Sequence, residues 1–204
     1  MKVLLFWWLQ NQVFYKNIQE TAVEPIGLAV EHEKWADIGC SAGLISRLAQ
    51  QLSYEVSGCD RDYFSIKLAK LLSYKMNNIE YLQQDFNTLN ESFDVVSATS
   101  LLSVVEDKKE TLNKLLSLLK NDTSVLIIIE PTKELSLKNV WKLIYDFKTL
   151  WFYKGLLLWA KARESKHIDE TVFTDLDNIT ISHQYCLDEM VCIRYIRREN
   201  NCLK

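Results

Sequence analysis

The sequence WADIGCSAG, from Trp35 to Gly43, contains the most informative pattern in the chain. A short apolar run ends at Gly39 and Gly43, and the residues that follow, Leu44 to Ala49, have apolar positions at helical spacing. The pattern predicts a strand, a tight turn and a helix. Because glycine has no Cβ and the first amides of a helix point outward, such a turn can hold a nucleotide or a carboxylate closely.

Two known glycine motifs fit this turn only in part. The dinucleotide fingerprint Gly-x-Gly-x-x-Gly fails, since Gly39 is followed by Ser41 and Leu44 where glycines are needed. Residues 39–43 do match the nucleophile elbow Gly-x-Ser-x-Gly, with Ser41 as nucleophile. That elbow needs an oxyanion loop from an earlier strand, and the roughly 35 preceding residues contain no convincing strand. His167 and His183 lie downstream, so residue order alone leaves this alternative open.

The same segment resembles motif I of the class I S-adenosylmethionine-dependent methyltransferases, usually Asp/Glu-x-Gly-x-Gly-x-Gly. Asp37, Gly39 and Gly43 match the motif, and Cys40 is common at its position. Ser41 replaces the middle glycine. Serine is small, but it would crowd a bound ribose if its backbone needs a positive φ.

Four later segments resemble the next strands of that family in the same order. Tyr54–Asp60 reads as a second strand that ends in an acid roughly twenty residues after the turn, where a carboxylate can reach ribose hydroxyls. Gln84-Asp85-Phe86 closes a third strand, Phe93–Ser100 resembles the fourth, and Val125–Pro131 resembles the fifth. The resemblance covers about residues 30–131, and loosely a C-terminal hairpin.

The resemblance implies S-adenosylmethionine as cofactor and S-adenosylhomocysteine as product. The residues implied to bind the cofactor are Asp37, Gly39, Cys40, Ser41, Gly43, Asp60, Arg61, Asp85, Phe86 and Thr99. In these implied roles, Asp37 orients the methionine end through its ammonium, Asp60 accepts from the ribose hydroxyls, and Asp85 accepts from the adenine amino group. Phe86 packs along the base, and Thr99 lies near the sulfonium.

Candidate acceptor-binding residues come from the regions that surround the cofactor in this family. They are Tyr15, Ser100, Glu130, Trp141 and Tyr145. No residue is assigned the role of general base, because the family includes members that need none. No metal site is expected.

Helices and strands alternate after the turn, in the ranges 44–52, 55–59, 63–74, 79–82, 93–98, 108–120 and 125–129. Such alternation predicts a parallel sheet covered on both faces. Ile179–Cys186 and Met190–Ile196 then predict a β-hairpin. With the family resemblance, the expected fold is α/β and Rossmann-like, with a seven-stranded, mostly parallel sheet, an antiparallel C-terminal hairpin and a helical insertion after the fifth strand.

We expect one methyltransferase-like domain over residues 1–204. It would comprise an N-terminal helical cap (1–31), a cofactor-binding core (34–131), a helical lid or insertion (135–164) and the hairpin (178–198). In the insertion, an amphipathic helix is predicted, with a second helical piece after Gly155. Tyr15 on the N-terminal cap is expected either to reach the cofactor or simply to pack against the sheet.

Seven aromatic residues lie between Trp141 and Trp159. They are Trp141, Tyr145, Phe147, Trp151, Phe152, Tyr153 and Trp159. Three explanations stay open: core packing, a lid over the acceptor pocket, and peripheral contact with a membrane surface, which the interspersed lysines suggest. No stretch approaches the roughly 18 apolar residues of a membrane-spanning helix.

The composition is that of an ordinary globular protein, with 204 residues, 48% of them hydrophobic, and a net charge of −3. This balance argues against a nucleic-acid partner, and the basic cluster Arg194, Arg197 and Arg198 is interpreted as a solvated strand edge. Five cysteines without zinc-ligand spacing predict reduced thiols and a cytoplasmic location. Oligomeric state is not indicated.

The resemblance therefore implies S-adenosylmethionine-dependent methyl transfer to a small-molecule acceptor, which the aromatic segment suggests is apolar or aromatic. One alternative is a protein that binds the cofactor or acts as a scaffold without turnover. The other is a serine hydrolase that uses Ser41. The substitution Ser41→Gly would inactivate the hydrolase and leave a methyltransferase active.

Overall fold

A computed structural model describes residues 2–147, 150–164, 166–174, 176 and 178–199. Its helices are α1 (Lys2–Gln10), α2 (Val13–Val23), α3 (Leu44–Gln51), α4 (Tyr63–Leu72), α5 (Lys108–Ser117), α6 (Leu137–Phe147) and α7 (Leu150–Arg163). Its strands are β1 (Lys34–Ile38), β2 (Glu55–Asp60), β3 (Ile79–Gln83), β4 (Val95–Thr99), β5 (Val125–Pro131), β6 (Ile179–Cys186) and β7 (Val191–Arg198). Short 3₁₀ helices span Glu24–Ile26, Phe86–Thr88 and Glu170–Phe173.

All seven strands form one sheet in the order β3-β2-β1-β4-β5-β7-β6. The first five strands pair in parallel, whereas β7 runs antiparallel between β5 and β6. This topology confirms the predicted fold class. The strand order reverses beside β1, so the carboxyl end of β1 opens at the switch point where ligands bind in such sheets.

Apolar side chains pack on both faces of the sheet. On β5, whose residues are all buried, Ile127 and Ile129 face the cluster that contains α2, α3 and α7, while Leu126 and Ile128 face the cluster that contains α5. Burial on both faces explains why this strand reads as a continuous apolar run. Among the helices within the described residues, none is long and apolar enough to cross a membrane.

Two local expectations from the sequence are wrong. Gly155 does not precede a second helix but lies inside α7, where an added Cβ would come within 2.8 Å of the Cγ of Gln12. Glycine there permits close packing between α7 and the N-terminal helices. Arg194 is not solvated, because it is 6% exposed, pairs with Glu170 and stacks on the ring of Phe173.

Candidate active site

The turn after β1 has an unusual backbone. Gly39, Ser41 and Gly43 have φ values of 68°, 48° and 72°. The amides of Gly39 and Cys40 both donate to the carbonyl of Cys59, at 2.8 and 3.0 Å, which ties the turn to β2. Left-handed φ is uncommon for a serine, and Ser41 has the positive φ that was the condition for crowding a bound ribose.

Asp60 ends β2 and closes the turn from the other side. Its Oδ2 accepts from the amide of Ser41 at 2.9 Å, and its Oδ1 accepts from the amide of Asp62 at 2.8 Å. The cap of α4 is Asp62, which accepts from Ser65 at 2.7 Å, so Asp60 is not a helix cap. Each carboxylate oxygen has further lone-pair capacity, which leaves Asp60 able to accept from hydroxyls.

Asp37 lies buried at the end of β1, with 3% of its surface exposed. Its Oδ2 accepts from the amide and the hydroxyl of Ser46, at 3.0 and 2.7 Å, and its Oδ1 accepts from Ser97 at 3.2 Å. Burial raises the pKa of Asp37 to about 6, against the opposing effect of these hydrogen bonds. The carboxylate is therefore mostly ionised at neutral pH and suited to a cationic partner.

A cavity of about 800 Å³ opens in front of the turn, within the range of roughly 300–1,000 Å³ that is typical of ligand pockets. The turn, the ends of β2 and β4, the loop after β4, α1 and α7 contribute to its wall. Its lining residues include Phe6, Gly39, Ser41, Asp60, Arg61, Gln84, Phe86, Asn87, Thr99, Ser100, Leu101, Val104, Val105, Glu106, Asp107, Glu110 and Arg163.

A second, much smaller cavity of about 20 Å³ shares Phe6, Gly39 and Thr99 with the first. It lies between the turn and the N-terminal helices. Its other lining residues are Gln10, Tyr15, Gln19, Asp37, Cys40, Leu44 and Ile45.

Most of the cofactor-binding residues predicted from the sequence come together around these two cavities, and two do not line either. Asp85 forms an ion pair with Arg61 at 2.8 Å and accepts from the amide of Asn87 at 3.0 Å. Gly43 packs against Tyr81, whose hydroxyl would lie 2.2 Å from an added Cβ. The neighbours Gln84, Phe86 and Asn87, rather than Asp85 itself, face the large cavity.

The predicted acceptor residues separate into two groups. Tyr15 lines the small cavity and Ser100 the large one. Glu130 is 1% exposed, and its Oε1 accepts from the amide of Leu102 at 2.7 Å, so it anchors the loop that forms the cavity wall. Trp141 and Tyr145 are 54% and 82% exposed on α6 and line neither cavity.

The aromatic segment does not have a single structural role. Trp159 is buried and stacks on Phe14 at 6.2 Å and packs edge-on against Tyr15 at 5.5 Å, so the core explanation applies to it. The side chains of Phe147, Trp151, Phe152 and Tyr153 lie outside the described residues. For Trp141 and Tyr145, contact with a membrane surface stays a prediction.

The sequence reasoning missed several cavity residues. The loop from Leu101 to Asp107 follows β4, so the rule that ligands bind beyond the carboxyl ends of strands would have found it. Phe6 and Arg163 reach the cavity from helices far away along the chain, and no local pattern marks them.

The hydrolase alternative gains no support from the positions of the histidines. His167 lines a separate cavity with Arg194, and the His183 ring packs against Tyr185 on β6. Within the described ranges, neither ring donates to or accepts from Ser41, whose amide donates to Asp60. Those ranges also contain no group of three or more His, Cys, Asp or Glu that could hold a metal ion.

Comparisons with known proteins agree with this geometry. A methyltransferase domain family matches residues 36–125, whereas no curated protein matches the chain. Among solved structures, the plantazolicin methyltransferase BpumL is 13% identical with a TM-score of 0.67, covering 96% of this chain and 89% of its own. The N-methyltransferase NodS from Bradyrhizobium japonicum is 16% identical with a TM-score of 0.67, covering 96% and 92%.

A third similar structure is the magnesium protoporphyrin IX methyltransferase ChlM from Synechocystis PCC 6803. It is 18% identical with a TM-score of 0.65, and the alignment covers 92% of this chain and 84% of that one. All three structures contain S-adenosylhomocysteine. Residues 36–125 thus match a methyltransferase domain family, and the chain as a whole shares the fold of these three methyltransferase structures.

Proposed function

We propose that this chain is an enzyme that transfers the methyl group of S-adenosylmethionine to a small-molecule acceptor. The observation that carries the proposal is the cavity at the switch point of the sheet, which the left-handed turn, Asp60 and the loop after β4 enclose. The methyltransferase domain match over residues 36–125 supports the same reaction class.

The residues at the cavity fit the cofactor in size and in polarity. Gly39 presents backbone without a side chain, Asp60 offers carboxylate oxygens to hydroxyls, and Phe86 offers an apolar ring face. Ser100 Oγ is buried with no hydrogen-bond partner among the described residues, as expected of a group that a ligand would satisfy. When bound, S-adenosylmethionine supplies a methyl group that its sulfonium already activates for transfer.

The protein's own contribution is position and exclusion of water. Phe6 and Arg163 close the cavity from the helical side, and Glu130 holds Leu102 and thereby the wall after β4. A proton acceptor is not assigned, because an acceptor that is already a strong nucleophile needs none.

An apolar or aromatic acceptor is the class we propose. Phe6, Leu101, Val104 and Val105 give the cavity an apolar wall beside the predicted sulfonium position at Thr99. Two of the similar structures are a plantazolicin methyltransferase and a magnesium protoporphyrin IX methyltransferase, and those acceptors belong to those proteins.

The test is calorimetric binding of S-adenosylmethionine and S-adenosylhomocysteine. We expect wild type to bind both in the micromolar range and Asp60→Ala to bind at least about 10-fold more weakly, since it removes a charged acceptor. Asp62→Ala is the matched control, because it removes an exposed helix cap two residues away. Absent or millimolar binding by wild type would overturn the proposal.

Turnover separates the enzyme from a protein that only binds the cofactor. Release of S-adenosylhomocysteine is measured with a panel of phenols, amines, carboxylic acids and thiols. Product with any acceptor class supports the enzyme, and binding without product across the panel favours the scaffold alternative. Ser41→Gly should retain methyl transfer, whereas it would remove a hydrolase nucleophile.

Two further properties belong to the proposal. The chain acts as one domain, which is supported by a core cluster that joins Leu9 of α1, Trp35 of β1, Trp159 of α7 and Tyr195 of β7. A cytoplasmic location is supported by the free thiols of the four described cysteines, since reducing compartments keep thiols unpaired. Cys202 lies outside the described residues.

A further inference from the structure

Two glutamines of the N-terminal helices are buried at the small cavity without a complete set of hydrogen bonds. Gln10, at the end of α1, is 7% exposed, and Gln19, on α2, is 2% exposed. Gln19 Oε1 accepts from the hydroxyl of Thr99 at 3.1 Å, which leaves its Nε2 without a partner among the described residues. Gln10 Oε1 is likewise buried and lacks a donor within that part of the chain.

Buried amide groups are almost always paired, so two orphans at one cavity call for an explanation. The same cavity is also lined by Asp37, an acidic residue. An amide N–H and an amide carbonyl, together with a carboxylate, match a ligand that has both a negative and a positive group.

We infer that Gln10 and Gln19 bind the amino-acid end of the cofactor, an inference that rests on the proposed function. Gln19 Nε2 donates to the α-carboxylate, while Gln10 Oε1 and Asp37 accept from the α-ammonium. The small cavity shares Gly39 and Thr99 with the large one, so this end would lie beside the turn and the sulfonium near Thr99.

The size of the small cavity adds a conformational requirement. At about 20 Å³ it has room for about one water, which needs roughly 10–15 Å³. An aminocarboxyl group is larger, so α1 and α2 must shift away from the turn when the ligand enters. The N-terminal helices are then a cover that the amino-acid end of the ligand holds in place.

The test compares two ligands that differ only at this end. S-adenosylhomocysteine carries the amino and carboxyl groups, whereas 5′-methylthioadenosine keeps the adenosine and the thioether without them. We expect Gln19→Leu and Gln10→Leu each to weaken S-adenosylhomocysteine about 10-fold or more by calorimetry, as loss of a bond to a charged group does. Affinity for 5′-methylthioadenosine should change less than about twofold.

Substitutions of each glutamine by glutamate separate a specific loss of binding from a failure to fold. Gln19→Glu places a carboxylate opposite the ligand carboxylate and should weaken S-adenosylhomocysteine more than Gln19→Leu does. Gln10→Glu still accepts from the ammonium and should bind at least as well as wild type. The control is Gln51→Leu, an exposed glutamine at the end of α3, which should bind both ligands normally.

The remaining outcomes decide whether the inference fails alone or together with the proposed function. Variants at Gln10 and Gln19 that bind S-adenosylhomocysteine like wild type, or that lose both ligands equally, would overturn the inference and leave the proposed function standing. The same holds if wild type binds the two ligands with equal affinity. A wild-type protein that binds neither ligand would overturn both the inference and the proposed function.

Discussion

Gly39 and Gly43 have similar left-handed φ values, but a side chain at each would meet different surroundings. A Cβ on Gly39 would lie 3.7 Å from Leu101 Cδ1, which is ordinary contact, and Gly39 faces both cavities. A Cβ on Gly43 would lie 2.2 Å from the hydroxyl of Tyr81 and 2.8 Å from its ring. We therefore propose that Gly39 serves ligand binding, whereas Gly43 permits the packing of the turn on β3.

Gly39→Ala and Gly43→Ala should consequently have different effects. For Gly39→Ala, we expect about 10-fold weaker binding of S-adenosylhomocysteine and a loss of about 1 kcal/mol in the free energy of unfolding, from the left-handed backbone alone. For Gly43→Ala, overpacking against Tyr81 should add about 1–3 kcal/mol of destabilisation. Chemical denaturation and calorimetry measure both quantities, and a Gly43→Ala variant as stable as wild type would contradict this assignment.

Glu130 provides a test in the pH dependence of stability. Burial raises its pKa to about 7, and its Oε2 has no hydrogen-bond partner within the described residues. The folded state thus holds this proton to a higher pH than the unfolded chain, whose glutamates titrate near 4.3. Linkage then requires that the stability contributed by Glu130 is complete below about pH 4 and is lost as the pH rises to about 7.

Glu130→Gln removes this titration while keeping an oxygen that can accept from Leu102. We expect the free energy of unfolding of wild type minus that of the variant to fall by on the order of 2 kcal/mol between pH 5 and pH 8. Urea denaturation at several pH values measures the difference, in which groups common to both proteins cancel. A difference that stays constant over this range would mean that Glu130 is ionised throughout.

The motif residues could be predicted from the sequence because they lie close together along the chain. Asp37, Gly39 and Ser41 lie in one short segment, and Asp60 is separated from it by a single helix. Gln10, Gln19 and Arg163 reach the same cavities only through packing of distant helices. Their positions depend on tertiary contacts, which no periodicity or spacing in one sequence encodes.

The glycine in α7, Gly155, has a different role from the one that its sequence pattern predicts. A glycine within a helical pattern suggests a break because it costs about 1 kcal/mol relative to alanine. Gly155 instead lies where α7 approaches Leu9, Gln12 and Phe14 too closely for a side chain. The cost in helix propensity is offset by the packing that it permits between α7 and the helices α1 and α2.

Substitution by valine tests this packing. Gly155→Val should lower the free energy of unfolding by about 1–3 kcal/mol, since the added atoms force α7 away from Gln12 and Phe14. Ala162→Val places the same residue on the exposed side of the same helix, where we expect a change within about 0.5 kcal/mol. Thermal unfolding of both variants gives the comparison, and equal stabilities would show that the contact at Gly155 is not tight.

Across the whole molecule, the alternation of helices with apolar strands was enough to predict a parallel sheet. The position of β7 between β5 and β6 was not predicted, because a hairpin pattern alone does not say which of its strands pairs with the sheet. No pattern in the sequence indicates that β7 contacts the N-terminal helices. Tyr195 on β7 donates toward the carbonyls of Thr21 and Ala22, at 3.3 and 3.2 Å.

This contact joins β7 to the end of α2, so its loss should loosen α2. Tyr195→Phe leaves two carbonyls without their donor and should cost about 0.5–1.5 kcal/mol in the free energy of unfolding. Faster amide hydrogen exchange is expected at the end of α2, where these carbonyls lie. Tyr185→Phe on the half-exposed face of β6 is the matched control, with an expected change within about 0.5 kcal/mol. Unchanged exchange in α2 with the Tyr195 hydroxyl removed would mean that apolar packing alone holds α2 against the sheet.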